Sequence, residues 1–476
     1  MDAATNIGKA CVIGAGPNGL AAAIVLAEAG FHVEVLEAQS TPGGAARTLE
    51  LTLPGFRHDF GSAVYPLAAG SPFFSSLPLI DHGLEWIHSP APLAHPLDDG
   101  AAVMLERDLA ETKTSLGLDG EAWERLMRPF VEHWSELAPE ILRPVSHLPR
   151  HPWLIARFGM LAIQSAQAVA GRFRDQRTRA LFAGLAAHSF LSLDEPLSAA
   201  FGILMAVSVH SVGWPIPRSG AQSLTNSLCS YLSTFGCEVT TSSPVDRLDE
   251  LKNYELLLCD LTPQQLLKIG GQRFSHSYQQ QLARYRYGAG VFKVDYALSA
   301  PIPWKAASCA RAATVHLGGS FDEIAASEAA VRNGKHTDHP FVLLAQPSLF
   351  DNSRAPAGKH TAWAYCHVPH GSTVNMLEKL EDQIERFAPG FRDCILARRT
   401  FSPADLESMD ANLVGGDIAG GAMDIRQFLF RPTWRRYATS ARDIYICSAS
   451  TPPGGGVHGM CGYHAAKMAL SRWNRG

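Results

Sequence analysis

The stretch Lys9–Ala38, KACVIGAGPNGLAAAIVLAEAGFHVEVLEA, does most to restrict what this chain can fold into. A short β-branched run leads into a glycine turn, then into an alanine- and leucine-rich helix ending at Gly30, then into a second strand ending at Glu37. That order is βαβ. Gly14, Gly16 and Gly19 form G-x-G-x-x-G between the first strand and the helix, so the backbone can approach a pyrophosphate whose charge meets the helix N-terminus. Glu37 stands 18 residues beyond Gly19, where a carboxylate can accept hydrogen bonds from both ribose hydroxyls. With strand, helix and acid all in place, the segment reads as a dinucleotide site rather than an isolated tight turn.

The residues just beyond Glu37 decide between FAD and NAD. Gly43-Gly44-x-x-Arg47 offers a second close backbone approach and a guanidinium suited to a pyrophosphate. G-x-G-x-x-G, an acid and G-G-x-x-R together resemble the flavoprotein superfamily of amine oxidases and phytoene desaturases, and the resemblance implies FAD; NAD domains lack the last element. Gly270-Gly271 and Gly318-Gly319 have no βαβ flanks, so a separate NAD domain is not expected.

Residues 218–248 read as a turn, an amphipathic helix to Gly236 and a strand pair from Val239 to Leu248. The superfamily re-enters its FAD domain through such a segment, and Val245 matches the small apolar residue beside the adenine. YELLLCDLTP (254–263) looks like the next buried strand of that domain. Residues 66–214 are helix-rich, and residues 276–434 mix strands such as GVFKVDYAL and HTAWAYCHV with helices. The expected fold class is α/β. A discontinuous Rossmann-like FAD-binding domain (1–65, 215–275 and 435–476) would be interleaved with an α+β substrate domain (66–214 and 276–434).

Near the C-terminus a strand to Cys447, the loop SASTPPGGGVHG and a helix from about Gly462 complete the pattern. With GFRHDFGSAVYPL, YRYGAGVFKVDYAL, WAYCHVP and NLVGGDI, the chain resembles phytoene-desaturase-related oxidoreductases over nearly its full length. It is most similar to the group called pyridine nucleotide-disulfide oxidoreductase domain-containing protein 2, although no paired cysteines could serve a disulfide exchange. The resemblance implies that Ser450, Gly455, Gly456 and Val457 lie against the flavin's ribityl chain and pyrimidine edge, with His458 and Cys461 close to the ring in chemical or packing roles. Where relatives carry an acid after the strand, Ser448-Ala449-Ser450-Thr451 stands here, so the acidic contact is lost or replaced by hydroxyls. By strand periodicity Lys293 and Asp295 share one face, opposite Phe292, Val294 and Tyr296, which reads as a solvated ion pair. Amine oxidases have a similar stretch whose lysine holds a water at flavin N5, and this likeness implies a buried, catalytic Lys293 instead.

Other chemistries find little support. A net charge of −4 gives no field to recruit nucleic acid. Nine cysteines without C-x-x-C or Cys/His spacing argue against a disulfide framework, a zinc site and a redox-active disulfide, and His367 and His370 across a proline turn are a poor metal pair. The N-terminal sequence has neither a basic n-region nor an uninterrupted apolar run, so a reducing, cytoplasmic setting is expected. Residues 153–180, an apolar stretch flanked by Arg150, Arg157, Arg172 and Arg174, read first as a lid or core helix and second as a helix that touches a bilayer surface. The expected activity is FAD-dependent hydride removal, a desaturation or dehydrogenation, from an apolar, isoprenoid-like small molecule, with O₂, a quinone or a partner protein taking the electrons. The alternatives are an amine-type oxidase using O₂ and a flavin-stabilised partner-binding protein. Substrate identity, acceptor and any homo-oligomer stay open.

Overall fold

A computed structural model describes residues 7–475. Along the chain, β1 (Lys9–Ile13), β2 (His32–Leu36), β3 (Ala91–Pro96), β4 (Ala102–Leu105), β5 (Glu238–Thr240) and β6 (Leu256–Cys259) precede β7 (Gly290–Leu298), β8 (Ala312–Leu317), β9 (Val342–Ala345), β10 (His360–Val368), β11 (Ile395–Phe401) and β12 (Ile444–Ile446). They form two large sheets.

The first sheet is all parallel, in the order β12-β6-β1-β2-β5. Its central strand is apolar and buried after Lys9 because helices cover both faces of a parallel sheet. Helix α1 (Pro17–Glu28) starts on Pro17, whose missing N–H costs nothing at a helix start. Residues Asn18 to Ala27 of α1 are all buried, so its alanines allow close packing on every side. On one of those sides lies the helix Met460–Trp473: a Cβ on Gly462 would stand 1.8 Å from the Asn18 carbonyl oxygen. The two helices therefore cross at their first turns.

The second sheet is mixed, in the order β11-β7-β10-β9-β8-β3-β4, antiparallel except between β8 and β3. β7 and β10 span the two stretches read as strands in the sequence. Both faces of this sheet are covered, so the solvated reading of Lys293 and Asp295 does not hold. Phe292, Val294 and Tyr296 join one core, with Val342, Leu344 and Ala364. Lys293 and Asp295 point to the other side, among Phe60, Trp363, Tyr365 and Phe401, and are 3% and 0% exposed.

Two further expectations are corrected. The strand pair from Val239 to Leu248 is only the edge strand β5; Ser242 turns at φ +53° and Pro244 has no N–H to continue a ladder. The arginine-flanked stretch 153–180 is not one helix but parts of three, Pro152–Ala162, Ala166–Ala170 and Gln176–Ala187. Ser165 and Asp175 each accept a backbone N–H at the start of a new helix, which breaks the run. No helix among the described residues is long and apolar enough to cross a membrane.

Candidate cofactor and substrate site

At the carboxyl edge of the parallel sheet the two glycine loops meet. Gly43 donates its N–H to the Ala15 carbonyl at 2.9 Å, and a Cβ on Gly44 would lie 3.5 Å from the Gly16 Cα. Gly19 closes the first loop onto itself, since a Cβ there would stand 2.0 Å from the Gly14 oxygen. Glu37, 6% exposed at the end of β2, accepts the N–H groups of Ala15 and Gln39, both at 2.8 Å. Arg47 is buried; its Nε donates to the Gly44 carbonyl at 2.7 Å and its Nη2 to the Met409 carbonyl at 2.9 Å. The guanidinium thus ties the second loop to the segment at Met409, and burial lowers its pKa. Val245 is half-buried against the apolar layer under β1 and β6.

Two more carboxylates surround these loops. Asp260, just beyond β6, accepts the Gly19 N–H at 2.9 Å, and burial, with Asp410 and Glu37 nearby, pushes it up to about 8. Burial also raises Asp410. Asp260 follows an apolar strand in the sequence, a position that places it at the sheet's carboxyl edge, but nothing local marks its contact with the first loop.

The C-terminal loop supplies the opposite wall. Ser448, Ser450 and Thr451 are buried where the chain leaves β12, Ala449, Gly455 and Val457 are half-buried, and Gly456 is exposed. His458 is 1% exposed, and its Nδ1 accepts the Met460 N–H at 3.0 Å, capping the last helix. Burial lowers its pKa to about 4, so the ring is a neutral acceptor at this atom. The Cys461 thiol points to the Thr451 and Gly454 carbonyls, both at 3.4 Å, and burial pushes it up to about 11. Behind the loop lies Arg431, absent from the sequence expectations. It is 1% exposed and donates to the carbonyls of Gly420 (2.8 Å) and Ala449 (3.1 Å) and to the Tyr285 hydroxyl (3.1 Å). Among the described residues it makes no ion pair with a carboxylate within 4.0 Å.

Lys293 connects to the glycine loops through aromatic rings. Arg47 lies 5.3 Å over Phe60, Phe60 is 5.9 Å from Phe401, and the Lys293 ammonium is 5.3 Å over Phe401. Lys293 is paired with Asp295, and burial pushes that carboxyl up to about 6. The wall beside them carries Trp363 and Tyr365, stacked at 5.5 Å. His367 and His370 do not converge on a metal: one donates to Glu328 at 2.7 Å, the other to the Gly288 carbonyl at 3.1 Å. No metal-binding cluster occurs among the described residues.

The dinucleotide-binding reading has independent support in sequence. The family described as NAD(P)-binding Rossmann-like domain matches residues 12–75. Pyridine nucleotide-disulfide oxidoreductase domain-containing protein 2 of Rattus norvegicus is 26% identical, over 97% of this chain and 93% of its own length. Phytoene desaturase (lycopene-forming) of Pseudescherichia vulneris is 25% identical, over 97% and 98%. In fold, the chain is similar to putrescine oxidase bound to putrescine, with a TM-score of 0.59, 16% identity and 98% of each chain covered.

Proposed function

We propose that this amine oxidase/phytoene desaturase-like chain is an FAD-dependent oxidoreductase that removes hydride from an apolar, isoprenoid-like small molecule. The observation that carries the reading is the unbroken line from the second glycine loop through Arg47, Phe60 and Phe401 to Lys293, which joins a dinucleotide cradle to a buried face of the second sheet. The relatives that share the full length include phytoene desaturases, which supports the substrate class.

The residues present fit FAD. The cradle is backbone that side chains would fill, two helix N-termini adjoin it, and Ser450 Oγ and Asn18 Oδ1 are buried there without a hydrogen-bond partner. Gly14, Gly16, Gly19, Gly43, Gly44 and Arg47 would hold the diphosphate, Glu37 the ribose and Val245 the adenine. Ser450, Gly455, Gly456 and Val457 would line the ribityl side. The FAD-binding domain is then 1–65, 215–275 and 435–476, with 66–214 and 276–434 as the substrate domain. When bound, FAD supplies a two-electron acceptor for hydride. The chain's own part is to orient substrate against the Trp363–Tyr365 wall and to exclude water with that aromatic layer. Lys293 holds a proton at Nζ beside the reacting carbon, and His458 holds the last helix in place by capping it. Electrons leave to O₂, a quinone or a partner protein. The exposed Trp153, Met160 and Ile163 form the face that would meet a membrane surface.

A second reading, an amine-type oxidase using O₂, is favoured by one feature: a buried carboxylate, Asp295, beside two aromatic faces suits an ammonium group. The test is the visible spectrum of the purified protein, followed by anaerobic flavin reduction against apolar and amine panels. A flavin reduced by apolar compounds supports the first reading, and peroxide release with amines the second. A colourless protein, or a flavin that no compound reduces, sinks both.

A further inference from the structure

The buried charges around Lys293 do not sum to zero. Lys293 and Asp295 on β7, His58 and Asp59 on a short strand, and Asp351 and Arg354 on a turn are all 3% exposed or less. Arg354 is paired with Asp59 and lies 4.0 Å from Asp351. Two cations therefore face three carboxylates. His58, which burial together with Lys293 and Arg354 lowers to about 3, adds no charge. A net buried charge is costly, so the cluster is primed to take up one proton during turnover.

The hydrogen bonds say which carboxylate is free to accept it. Asp59 is committed to the Thr48 hydroxyl (2.8 Å), the Ala221 N–H (2.9 Å) and Arg354. Asp351 is committed to the N–H groups of Ser219 (2.7 Å) and Ser353 (3.1 Å). Asp295 Oδ2 takes the Lys293 ammonium, but Asp295 Oδ1 is buried with no hydrogen-bond partner. Beyond its Lys293 partner, the ring of His58 faces this oxygen, with Nδ1 at 3.7 Å, a contact that closes to a hydrogen bond only when the carboxyl turns. On the far side of the ring, His58 Nε2 is 2.8 Å from the Thr52 hydroxyl, and Thr52 is half-buried at the protein's edge. The other groups that face the cluster do not compete: Arg218, near Asp351, is exposed and neutralised by its own ion pair with Glu85 at 2.6 Å. Tyr65 gives its hydroxyl to the Ser62 carbonyl at 2.7 Å, Arg399 across the sheet from Asp295 is exposed, and Trp363 and Phe401 present rings.

We propose that Asp295 is the proton acceptor for the dehydrogenation and that His58 and Thr52 form the relay carrying its proton to solvent. The inference rests on the reading of the Lys293 face as the substrate side. In a two-electron dehydrogenation one C–H bond leaves with its electron pair as hydride, to FAD, and a second hydrogen leaves as a proton. Lys293 Nζ gives a proton to Asp295 Oδ2 as it receives the substrate's, so its own charge is unchanged. The protonated carboxyl turns to His58 Nδ1, and His58 releases its Nε2 proton through Thr52 to water, restoring the carboxylate. Asp295, at about 6, changes charge close to neutral pH, as a group with this task must.

His58→Gln and Thr52→Val in the holoprotein test the relay by two routes. The relay is reversible, so it is also the inward path for the proton that reoxidation consumes. In the first test, photoreduced protein is mixed with O₂ in weakly buffered solution with a pH-indicator dye, and anionic reduced flavin, O₂ and one proton give oxidised flavin and H₂O₂. His58→Gln should slow the dye-detected proton uptake roughly tenfold or more, Thr52→Val less, with FAD content unchanged. Imidazole should restore the rate in His58→Ala. In the second, the Asp295 carboxyl is titrated by ¹³C NMR, assigned with Asp295→Asn; its midpoint should move in His58→Gln. Wild-type proton uptake in both relay variants, or an Asp295 titration untouched by His58→Gln, overturns the proposal. If His58→Gln does not fold, Thr52→Val decides. If the purified protein carries no flavin, the functional reading fails on its own, and the carboxyl titration still decides whether Asp295 and His58 share a proton.

Discussion

Gly43 donates its backbone N–H to the carbonyl of Ala15, and this one hydrogen bond of 2.9 Å seats the second glycine loop on the first. Both halves of the dinucleotide cradle thus depend on the backbone of a residue that has no side chain. Gly43 itself sits at φ +127°, where a Cβ would stand 2.8 Å from the Ala46 carbonyl. We expect Gly43→Val to strain this turn by about 1–3 kcal/mol and to separate the loops. The flavin-to-protein absorbance ratio should collapse while far-UV circular dichroism stays close to the parent's, because the sheet beneath is untouched. Full flavin occupancy in this variant would show that the junction is not used by the cofactor.

Asp260 predicts the pH dependence of cofactor binding. Burial, with Asp410 and Glu37 close by, pushes it up to about 8, and its carboxyl faces the Gly19 N–H where a diphosphate would approach. Below that pH the group is protonated and adds no charge beside the phosphates; above it, a carboxylate repels them. FAD should therefore be released more readily as pH rises through about 8. Asp260→Asn should bind with a flat profile, followed by the fluorescence of freed flavin. The same shift bears on the fold: between the ordinary carboxylate pKa and about 8 the native state holds a proton the unfolded chain has lost, so this residue's contribution to stability falls as pH rises across that window.

Acid should unfold the protein steeply. Burial lowers His58 to about 3 and His95, His210 and His458 to about 4. Their folded pKa values lie below the unfolded value, so the stability tied to their neutral form is complete above about 6.5 and is lost as pH falls toward 4. Each such histidine contributes a slope of about 1.4 kcal/mol per pH unit in that range. A circular-dichroism titration should show a cooperative transition with net uptake of several protons, and a transition that takes up fewer than two would contradict this account.

Arg431 should resist conservative replacement. Its planar guanidinium satisfies the Gly420 and Ala449 carbonyls and the Tyr285 hydroxyl together, which one ammonium cannot reach at once. Arg431→Lys and Arg431→Met should both lower stability by about 1–3 kcal/mol, from buried acceptors left unpaired, and both should lose flavin as the C-terminal loop relaxes. Denaturant unfolding with flavin absorbance separates the two effects; a lysine variant that matches the parent would show that the fork geometry is dispensable.

Much of this architecture is legible in the sequence because its signals are local. G-x-G-x-x-G with its strand, helix and Glu37 needs only residues 9–38 to be read, and β7 and β10 announce themselves as apolar runs bounded by turn residues. Two segments depart from expectation because local pattern is overruled: Ser165 and Asp175 restart helices inside an apolar stretch, and Ser242 with Pro244 ends a strand early. The carboxylates and cations that define the electrostatics are invisible for a different reason. Asp260 meets Gly19, His58 meets Asp295 and Arg431 meets Ala449 only through tertiary packing, and no periodicity encodes those meetings. The burial of Lys293 belongs here too, since alternation says which residues share a face but not whether that face is covered.

The crossing of α1 with the helix Met460–Trp473 has a consequence for the order of events during synthesis. The first βαβ unit is made more than 400 residues before β12 and the glycine loop that complete its cradle. Until they arrive, α1 exposes the alanine surface that the last helix covers, and the cradle lacks one wall. The cradle is thus completed only after Ile444 is made, and a nascent chain stalled before it would present an unclosed site with an uncovered apolar surface.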